Sequence, residues 1–151
     1  MQNDTDNLTR PILLVEDNPM DVDLTKRAFA RRKLVNPIEV ARDGEEALAT
    51  VAEWEAGRPL PVVILLDLKL PKVPGLDVLR RLKAHPQFRN VPVVVLTSST
   101  EDRDVEAAYA LGGNSYIVKP VSFEKFVQVA EQIEVYWTVL NKPPRCVTQR
   151  D

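Results

Sequence analysis

The sequence predicts an α/β domain in which five helices cover both faces of a doubly wound, five-stranded parallel sheet. Five short apolar segments recur along the 151 residues, and each is followed by apolar residues at helical spacing. These segments lack polar/apolar alternation, which is typical of strands buried on both faces of a parallel sheet. With 44% hydrophobic and 28% charged residues, the chain has the composition of one globular domain.

Each apolar segment ends where the sequence turns polar, which marks the end of a buried strand. The predicted strands are PILLV at 11–15, PIEVA at 37–41, PVVILL at 61–66, VPVVVL at 91–96 and SYIV at 115–118. Right-handed crossovers between parallel strands would place the intervening helices on both sides of the sheet.

The intervening segments have apolar residues at the spacing of one helix face. The helices are predicted at 20–31, 44–54, 75–82 and 101–111, with a last helix that begins at 122. We expect residues 1–10 to form a flexible arm, 11–140 one domain with an extended last helix, and the Pro-rich, charged residues 141–151 a tail.

Bulk properties exclude several classes of protein. A net charge of -2 disfavours a nucleic-acid binder that relies on a broad basic surface. The single cysteine, Cys146, excludes an internal disulfide and a Cys-rich metal site, and it favours a reducing compartment. The polar N-terminus lacks a signal peptide, and no apolar run approaches the roughly 20 residues that span a bilayer. We therefore expect a cytoplasmic protein.

Charged and hydroxyl side chains follow four of the five predicted strands. In sheets of this kind ligands bind at the carboxyl ends of the strands, where the strand order reverses. The residues at these ends are Glu16 and Asp17 after the first strand, Asp67 after the third, Thr97 and Ser98 after the fourth, and Lys119 after the fifth.

The three acidic residues indicate a cation site. Carboxylates held close together raise one another's pKa unless a cation lies between them. A hard divalent ion with oxygen ligands, Mg²⁺ above all, suits them. Asp17, Asp67 and the backbone carbonyl of Lys69 could bind it directly, and Glu16 could act through water.

The remaining residues indicate phosphoryl chemistry. Lys119 supplies a positive charge for one phosphoryl oxygen, and the Thr97 hydroxyl can donate to another. Asp67, at the end of the central strand, is the best placed nucleophile. Taken singly, each residue has an ordinary structural explanation, such as a turn, a helix cap, a solvated loop or a surface lysine. Taken together at successive strand ends, they favour phosphoryl transfer to Asp67.

Four segments of this sequence resemble the response regulator receivers, typified by the single-domain chemotaxis protein. The segments are ILLVEDNP at 12–19, LLDLKLPKVPG at 65–75, VVVLTSS at 93–99 and SYIVKPV at 115–121. The resemblance covers about residues 11–133 and implies the flavodoxin-like strand order 2-1-3-4-5. It also implies an acidic pocket at Glu16 and Asp17, phosphorylation at Asp67, a switch hydroxyl at Thr97, a phosphate-binding amine at Lys119 and a rotating aromatic at Tyr116.

The resemblance has further implications for geometry and partners. The Lys119-Pro120 bond would be cis, which X-Pro bonds permit because their preference for trans is small. LLDLKLPK, the segment 84–90 and the extended C-terminus look like the small regulators paired with phytochrome-type histidine kinases. The sequence departs from many receivers at Pro74 and at Lys69, and we hypothesise that Lys69 alters the lifetime of phospho-Asp67. The alternative is an exposed lysine that contributes only its backbone.

The last predicted helix stays apolar beyond the end of the resemblance. If helical, Ile133, Tyr136, Trp137 and Leu140 form one stripe. It either covers the protein's own core or, as we favour, extends a homodimer interface along helices four and five. We expect helix four, strand five and helix five to transmit the signal.

Three other functions compete with a phosphorylated switch that has no output domain and no wider enzymatic activity. An aspartate-nucleophile phosphatase needs a second Asp two residues after the nucleophile, where this chain has Lys69. A DNA-binding regulator is disfavoured by the charge and by the absence of a predicted second domain. A degenerate receiver that binds partners without phosphorylation is disfavoured by the retained polar residues, and it is the main alternative.

Overall fold

The computed structural model describes residues 10–31 and 36–143, and its strands and helices alternate along the chain. The strands are Ile12–Val15 (β1), Ile38–Ala41 (β2), Val63–Leu66 (β3), Val93–Thr97 (β4) and Ser115–Val118 (β5). The helices are Pro19–Arg31 (α1), Gly44–Glu55 (α2), Gly75–Ala84 (α3), Asp102–Ala110 (α4) and Phe123–Glu134 (α5), which continues as a π-helical segment, Val135–Leu140. Among the described residues, no helix is long and apolar enough to cross a membrane.

The predicted terminal segments lie mostly outside the described residues, which exclude 1–9 and 144–151. Arg10, which we expected at the end of a flexible arm, is buried. Its guanidinium donates to the carbonyl oxygens of Leu60 and Pro61, at 2.9 Å each. Arg10 is therefore part of the packed domain, one residue before the predicted boundary.

All five strands are parallel and lie in the order β2-β1-β3-β4-β5, which confirms the predicted fold. In the centre of the sheet, Leu14 of β1 is in register with Val40 of β2 and Leu65 of β3. The chain proceeds from β1 to β2 on one side and then returns to β3 on the other. The strand order therefore reverses beside β1, and the carboxyl ends of β1 and β3 border a natural binding crevice.

The sheet separates two apolar clusters. Successive strand residues point to opposite faces, so Leu13 and Val15 join one cluster, whereas Ile12 and Leu14 join the other. The first cluster includes residues of α2, α3 and α4, and the second includes residues of α1 and α5. The central strands are thus buried on both faces, as the absence of alternation predicts.

Two glycines permit close backbone approaches beside the carboxyl ends of the strands. A Cβ atom at Gly75, the first residue of α3, would lie 2.4 Å from the carbonyl oxygen of Asp67. A Cβ atom at Gly44, the first residue of α2, would lie 2.3 Å from the carbonyl oxygen of Val73. Both distances are too short for any side chain, so glycine allows the loop between β3 and α3 to lie against both helices.

The apolar stripe predicted beyond α5 is divided between core and surface. Ile133 is only 4% exposed and belongs to the core, and Trp137 packs against the same cluster. Tyr136 and Leu140 are 49% and 68% exposed. The four residues therefore do not form one stripe, because Ile133 and Trp137 face the core whereas Tyr136 and Leu140 face outward. The cause is the π-helical segment, in which hydrogen bonds join residues five apart, such as Asn141 N to Tyr136 O at 2.6 Å. Its wider turn rotates Tyr136 and Leu140 away from the face that Ile133 and Trp137 present to the core.

Candidate functional site

The parallel strands bring charged and hydroxyl side chains to one edge of the sheet. Glu16 directly follows β1, Asp67 directly follows β3, Thr97 ends β4 and Lys119 directly follows β5. Glu16, Asp67 and Thr97 are buried, and the Lys119 side chain is 11% exposed. Four distant segments of the sequence therefore meet in a crevice largely shielded from water.

The Lys119 ammonium lies at the centre of this site. Its Nζ donates to Glu16 Oε1 at 2.6 Å, to Asp21 Oδ2 at 2.7 Å and to Asp67 Oδ2 at 2.9 Å. Burial alone would lower the pKa of Lys119, but these three charge-assisted hydrogen bonds outweigh it and raise the pKa above its ordinary value. Lys119 is therefore a permanent positive charge in the crevice.

Both oxygens of the Asp67 carboxylate are held by hydrogen bonds. Oδ1 accepts from the Thr97 hydroxyl at 2.8 Å and from the backbone N–H of Lys69 at 3.0 Å, and Oδ2 accepts from Lys119. Burial would raise the pKa of Asp67, but these bonds favour the anion and hold the pKa below its ordinary value. Asp67 is thus ionised at neutral pH, and its carboxylate is oriented by these hydrogen bonds.

Three carboxylates form a cluster that fits a divalent cation. One oxygen from each of Glu16, Asp17 and Asp67 lies within 4.8 Å of the others. Asp17 is exposed, whereas Glu16 is buried. Burial, opposed by the hydrogen bond from Lys119 and reinforced by the charge of Asp67, raises the pKa of Glu16 to about 7. A hard cation bound by these oxygens would relieve that cost.

A chain of hydrogen bonds leads from Asp67 towards α4 and β5. Ser99 N–H lies 3.5 Å from the Thr97 hydroxyl, and Ser99 Oγ donates to Asp104 Oδ2 at 2.5 Å in the first turn of α4. The Tyr116 hydroxyl donates to the carbonyl oxygen of Ser99 at 3.0 Å. The half-buried Tyr116 of β5 is therefore connected to Thr97 through the loop between β4 and α4.

Other predicted site residues lie differently from expectation. Ser98 is exposed, because its side chain alternates away from that of Thr97. Lys69 contributes its backbone N–H to Asp67. The Lys119-Pro120 bond is trans, since the described residues contain no cis peptide bond, and the prediction of a cis bond is wrong. The small preference of X-Pro bonds permits either isomer, and the trans bond already delivers the ammonium to three carboxylates.

A family comparison accounts for this arrangement. Residues 12–131 match the model of the response regulator receiver domain. The chain belongs to this family. The matched range contains every strand of the sheet and all the residues of the crevice.

Several proteins are similar to this receiver over most of their length. A probable methanogenesis regulatory protein, FilR2 of Methanothrix harundinacea, is 47% identical over 134 residues, which cover 88% of this chain and 86% of that protein. The response regulator Rcp1 of Synechocystis sp. is 36% identical over 137 residues, which cover 89% and 92%.

Solved structures of response regulators are also similar to this chain. The phosphorylated cyanobacterial phytochrome response regulator RcpA superposes with a TM-score of 0.84 at 35% identity, covering 91% of this chain and 99% of that one. The Mn²⁺-bound form of Rcp1 superposes with a TM-score of 0.82 at 35% identity, covering 90% and 99%. This receiver is therefore related to regulators associated with phytochromes.

One residue of the receiver's crevice was missed by sequence reasoning. Asp21 lies in the first turn of α1, where an acidic residue is ordinarily explained by its favourable interaction with the helix dipole. The sequence spacing could have revealed Asp21, which follows Asp17 by four residues and Glu16 by five. About one helical turn separates them, so the Asp21 side chain can lie near the end of β1. The structure shows that its carboxylate reaches Lys119.

Proposed function

We propose that this receiver is a phosphorylation-dependent switch that accepts a phosphoryl group on Asp67 from the phosphohistidine of a sensor kinase. The observation that carries the proposal is the Asp67 carboxylate, which is ionised and held between Lys119 and Thr97 beside two further acids. No enzymatic activity beyond self-phosphorylation and slow autodephosphorylation is proposed.

The transfer would proceed in line. An Asp67 oxygen forms a bond to phosphorus while the bond from phosphorus to the histidine nitrogen breaks, and the imidazole leaves with the electron pair. Lys119 and Thr97 are close enough to Asp67 to bind phosphoryl oxygens. Glu16, Asp17, Asp67 and the Lys69 carbonyl would hold Mg²⁺, which when bound neutralises the charge of the phosphoryl oxygens.

The signal would leave through α4, β5 and α5. A phosphoryl group adds roughly two negative charges beside Thr97, and Thr97 is connected through Ser99 to Tyr116 and α4. A shift of Thr97 towards the phosphoryl oxygens would therefore change the position of Tyr116. The exposed Tyr109 of α4 and Val118 of β5 offer apolar contacts on this face.

The kinase and the assembly are also part of the proposal. The similarity to RcpA supports a phytochrome-type histidine kinase as the partner in the cytoplasm. The exposed Tyr136, Val139 and Leu140 support a homodimer that extends along α5. We expect Leu140→Lys to convert a concentration-dependent dimer into a monomer in sedimentation experiments, whereas a wild-type mass that is monomeric at all concentrations, with and without a phosphoryl mimic, would remove the dimer.

Incubation with acetyl phosphate and Mg²⁺, followed by intact mass measurement, tests the phosphorylation. We expect a gain of one phosphoryl group in the wild type, and none in Asp67→Ala or when EDTA replaces Mg²⁺. Asp77→Asn is the matched control, because Asp77 is an acid of α3 that pairs with Arg80 at the surface. No gain in the wild type would instead indicate a degenerate receiver that binds partners independently of phosphorylation.

The same assay tests the role of Lys69. Its side chain follows Asp67 by two residues and flanks the path of the hydrolytic water in the proposed phospho-state. We expect Lys69→Asn to change the rate at which phospho-Asp67 is lost after the phosphodonor is removed. An unchanged rate would restrict the contribution of Lys69 to its backbone.

A further inference from the structure

The first turn of α1 adds an acid to the crevice that stands apart from the cation cluster. Asp21 Oδ2 lies 2.7 Å from Lys119 Nζ, and the Asp21 side chain is 31% exposed. The cation cluster consists of Glu16, Asp17 and Asp67. Asp21 therefore contacts the phosphate-binding ammonium from the open side of the crevice.

Asp21 is close enough to the acceptor carboxylate to influence any charge placed there. An Asp21 oxygen and an Asp67 oxygen each lie within 3 Å of the same nitrogen, so they are less than about 6 Å apart. At this distance the Asp21 anion attracts a cation in the cluster and repels a phosphoryl group on Asp67.

In the phosphorylated state the Lys119 ammonium faces three anions, namely Glu16, Asp21 and the phosphoryl group on Asp67, because phosphorylation removes the charge of the Asp67 carboxylate itself. In the structure Lys119 bonds to Glu16, Asp21 and Asp67. Because an ammonium has three donor hydrogens, one phosphoryl oxygen can replace the Asp67 oxygen, and a closer approach of Lys119 to the phosphoryl group has to weaken its bond to Glu16 or Asp21. The bond to Asp21 competes with the phosphoryl group, and its loss would also leave the ammonium more tightly paired with the cation-binding acids.

We propose that Asp21 is a positioning residue that restrains Lys119 and thereby favours the cation-bound over the phosphorylated form of the site. This proposal rests on the proposed function, since it concerns the same phosphoryl site. It predicts effects of opposite sign: loss of the Asp21 charge weakens binding of the cation and strengthens binding of a phosphoryl mimic. A residue that merely maintained the fold would weaken both.

Calorimetric titration separates these effects. We expect Asp21→Asn to weaken Mg²⁺ binding about three- to tenfold and, at saturating Mg²⁺, to strengthen binding of beryllium fluoride by a similar factor, as expected for one charge at about 6 Å in a partly exposed site. Asp23→Asn removes an equal charge from the same helix at a residue that pairs with Arg27 instead. We expect Asp23→Asn to change both affinities less than about twofold. Asp21→Glu, which keeps the charge, should restore both affinities towards the wild type.

The outcomes distinguish this proposal from the function on which it rests. If the wild type gains a phosphoryl group but Asp21→Asn leaves both affinities unchanged, or shifts them in the same direction, the role of Asp21 is refuted and the function stands. The same holds if Asp23→Asn has equal effects or if Asp21→Glu behaves like Asp21→Asn. If the wild type binds neither beryllium fluoride nor a phosphoryl group, the proposed function itself fails.

Discussion

Replacement of Glu16 by glutamine should stabilise the metal-free protein at alkaline pH. In the folded protein the pKa of Glu16 is raised from its ordinary value of 4.5 to about 7, first because the carboxyl group is buried. Between these values the unfolded chain releases the Glu16 proton while the folded chain keeps it. The stability that the neutral group provides is thus complete below pH 4.5 and is lost as the pH rises through 7.

The expected difference in the free energy of unfolding follows from the shift in the pKa of Glu16. A pKa that rises from 4.5 to about 7 corresponds to roughly 3 kcal/mol, since one pKa unit is about 1.4 kcal/mol. We expect about 2 kcal/mol to be observed, because Asp17 and the mouth of the crevice face water, which screens the interactions. Glu16→Gln keeps the shape of the side chain but cannot ionise, so the variant should not lose this stability.

Urea unfolding in EDTA, followed by the fluorescence of the two tryptophans, of which Trp54 is buried, measures the difference. Between about pH 5 and about pH 8 the wild type should lose about 2 kcal/mol relative to Glu16→Gln. Groups that do not interact with Glu16 titrate equally in both proteins, so the difference reports Glu16 and its interactions with Lys119 and Asp67. Saturating Mg²⁺ should reduce the pH dependence of the wild type. Parallel stability curves for the two proteins in EDTA would refute the reasoning.

Three further substitutions test the packing that supports the site. Gly75→Ala should destabilise the protein by about 1–3 kcal/mol and slow phosphorylation, because its Cβ would meet the Asp67 carbonyl at 2.4 Å; unchanged urea unfolding and labelling rates would contradict this. Phe88→Ala should lower the free energy of unfolding by about 3–5 kcal/mol, because the buried Phe88 ring packs edge-on against Trp54. Thermal unfolding measures this loss. A loss below about 1 kcal/mol would show that the core closes around the cavity. Lys83→Met should lower the free energy of unfolding by about 1–3 kcal/mol, because Lys83 Nζ donates to three oxygen acceptors around the start of β4. Equal urea midpoints for the variant and the wild type would show that water replaces the ammonium.

The sequence predicts the sheet and most of the crevice because both depend on simple periodic features. A strand buried on both faces must be apolar throughout, so its end is visible as the first charged residue, as at Glu16 and Asp67. Parallel strands then place such ends at one edge, whatever their separation in the chain. Hence Lys119 could be expected beside Asp67 although 52 residues separate them.

Features that depend on local backbone geometry could not be predicted from the sequence. The π-helical segment after α5 breaks the spacing on which the apolar stripe was predicted, and the spacing itself carries no sign of the change. The isomer of the Lys119-Pro120 bond depends on an energy difference of only about 0.5–1 kcal/mol. Asp21 was missed because an acid in a first helical turn already has a sufficient local explanation.

The central sheet also makes the two halves of the core independent engineering targets. Ile64 faces the cluster beneath α2, α3 and α4, whereas its neighbour Leu65 faces the cluster beneath α1 and α5. Side chains on opposite faces share no cavity, so substitutions on the two faces should combine additively where their sites also lie more than about 10 Å apart. One cluster could therefore be redesigned to raise the free energy of unfolding. The other cluster, against which the π-helical segment packs, could be kept unchanged.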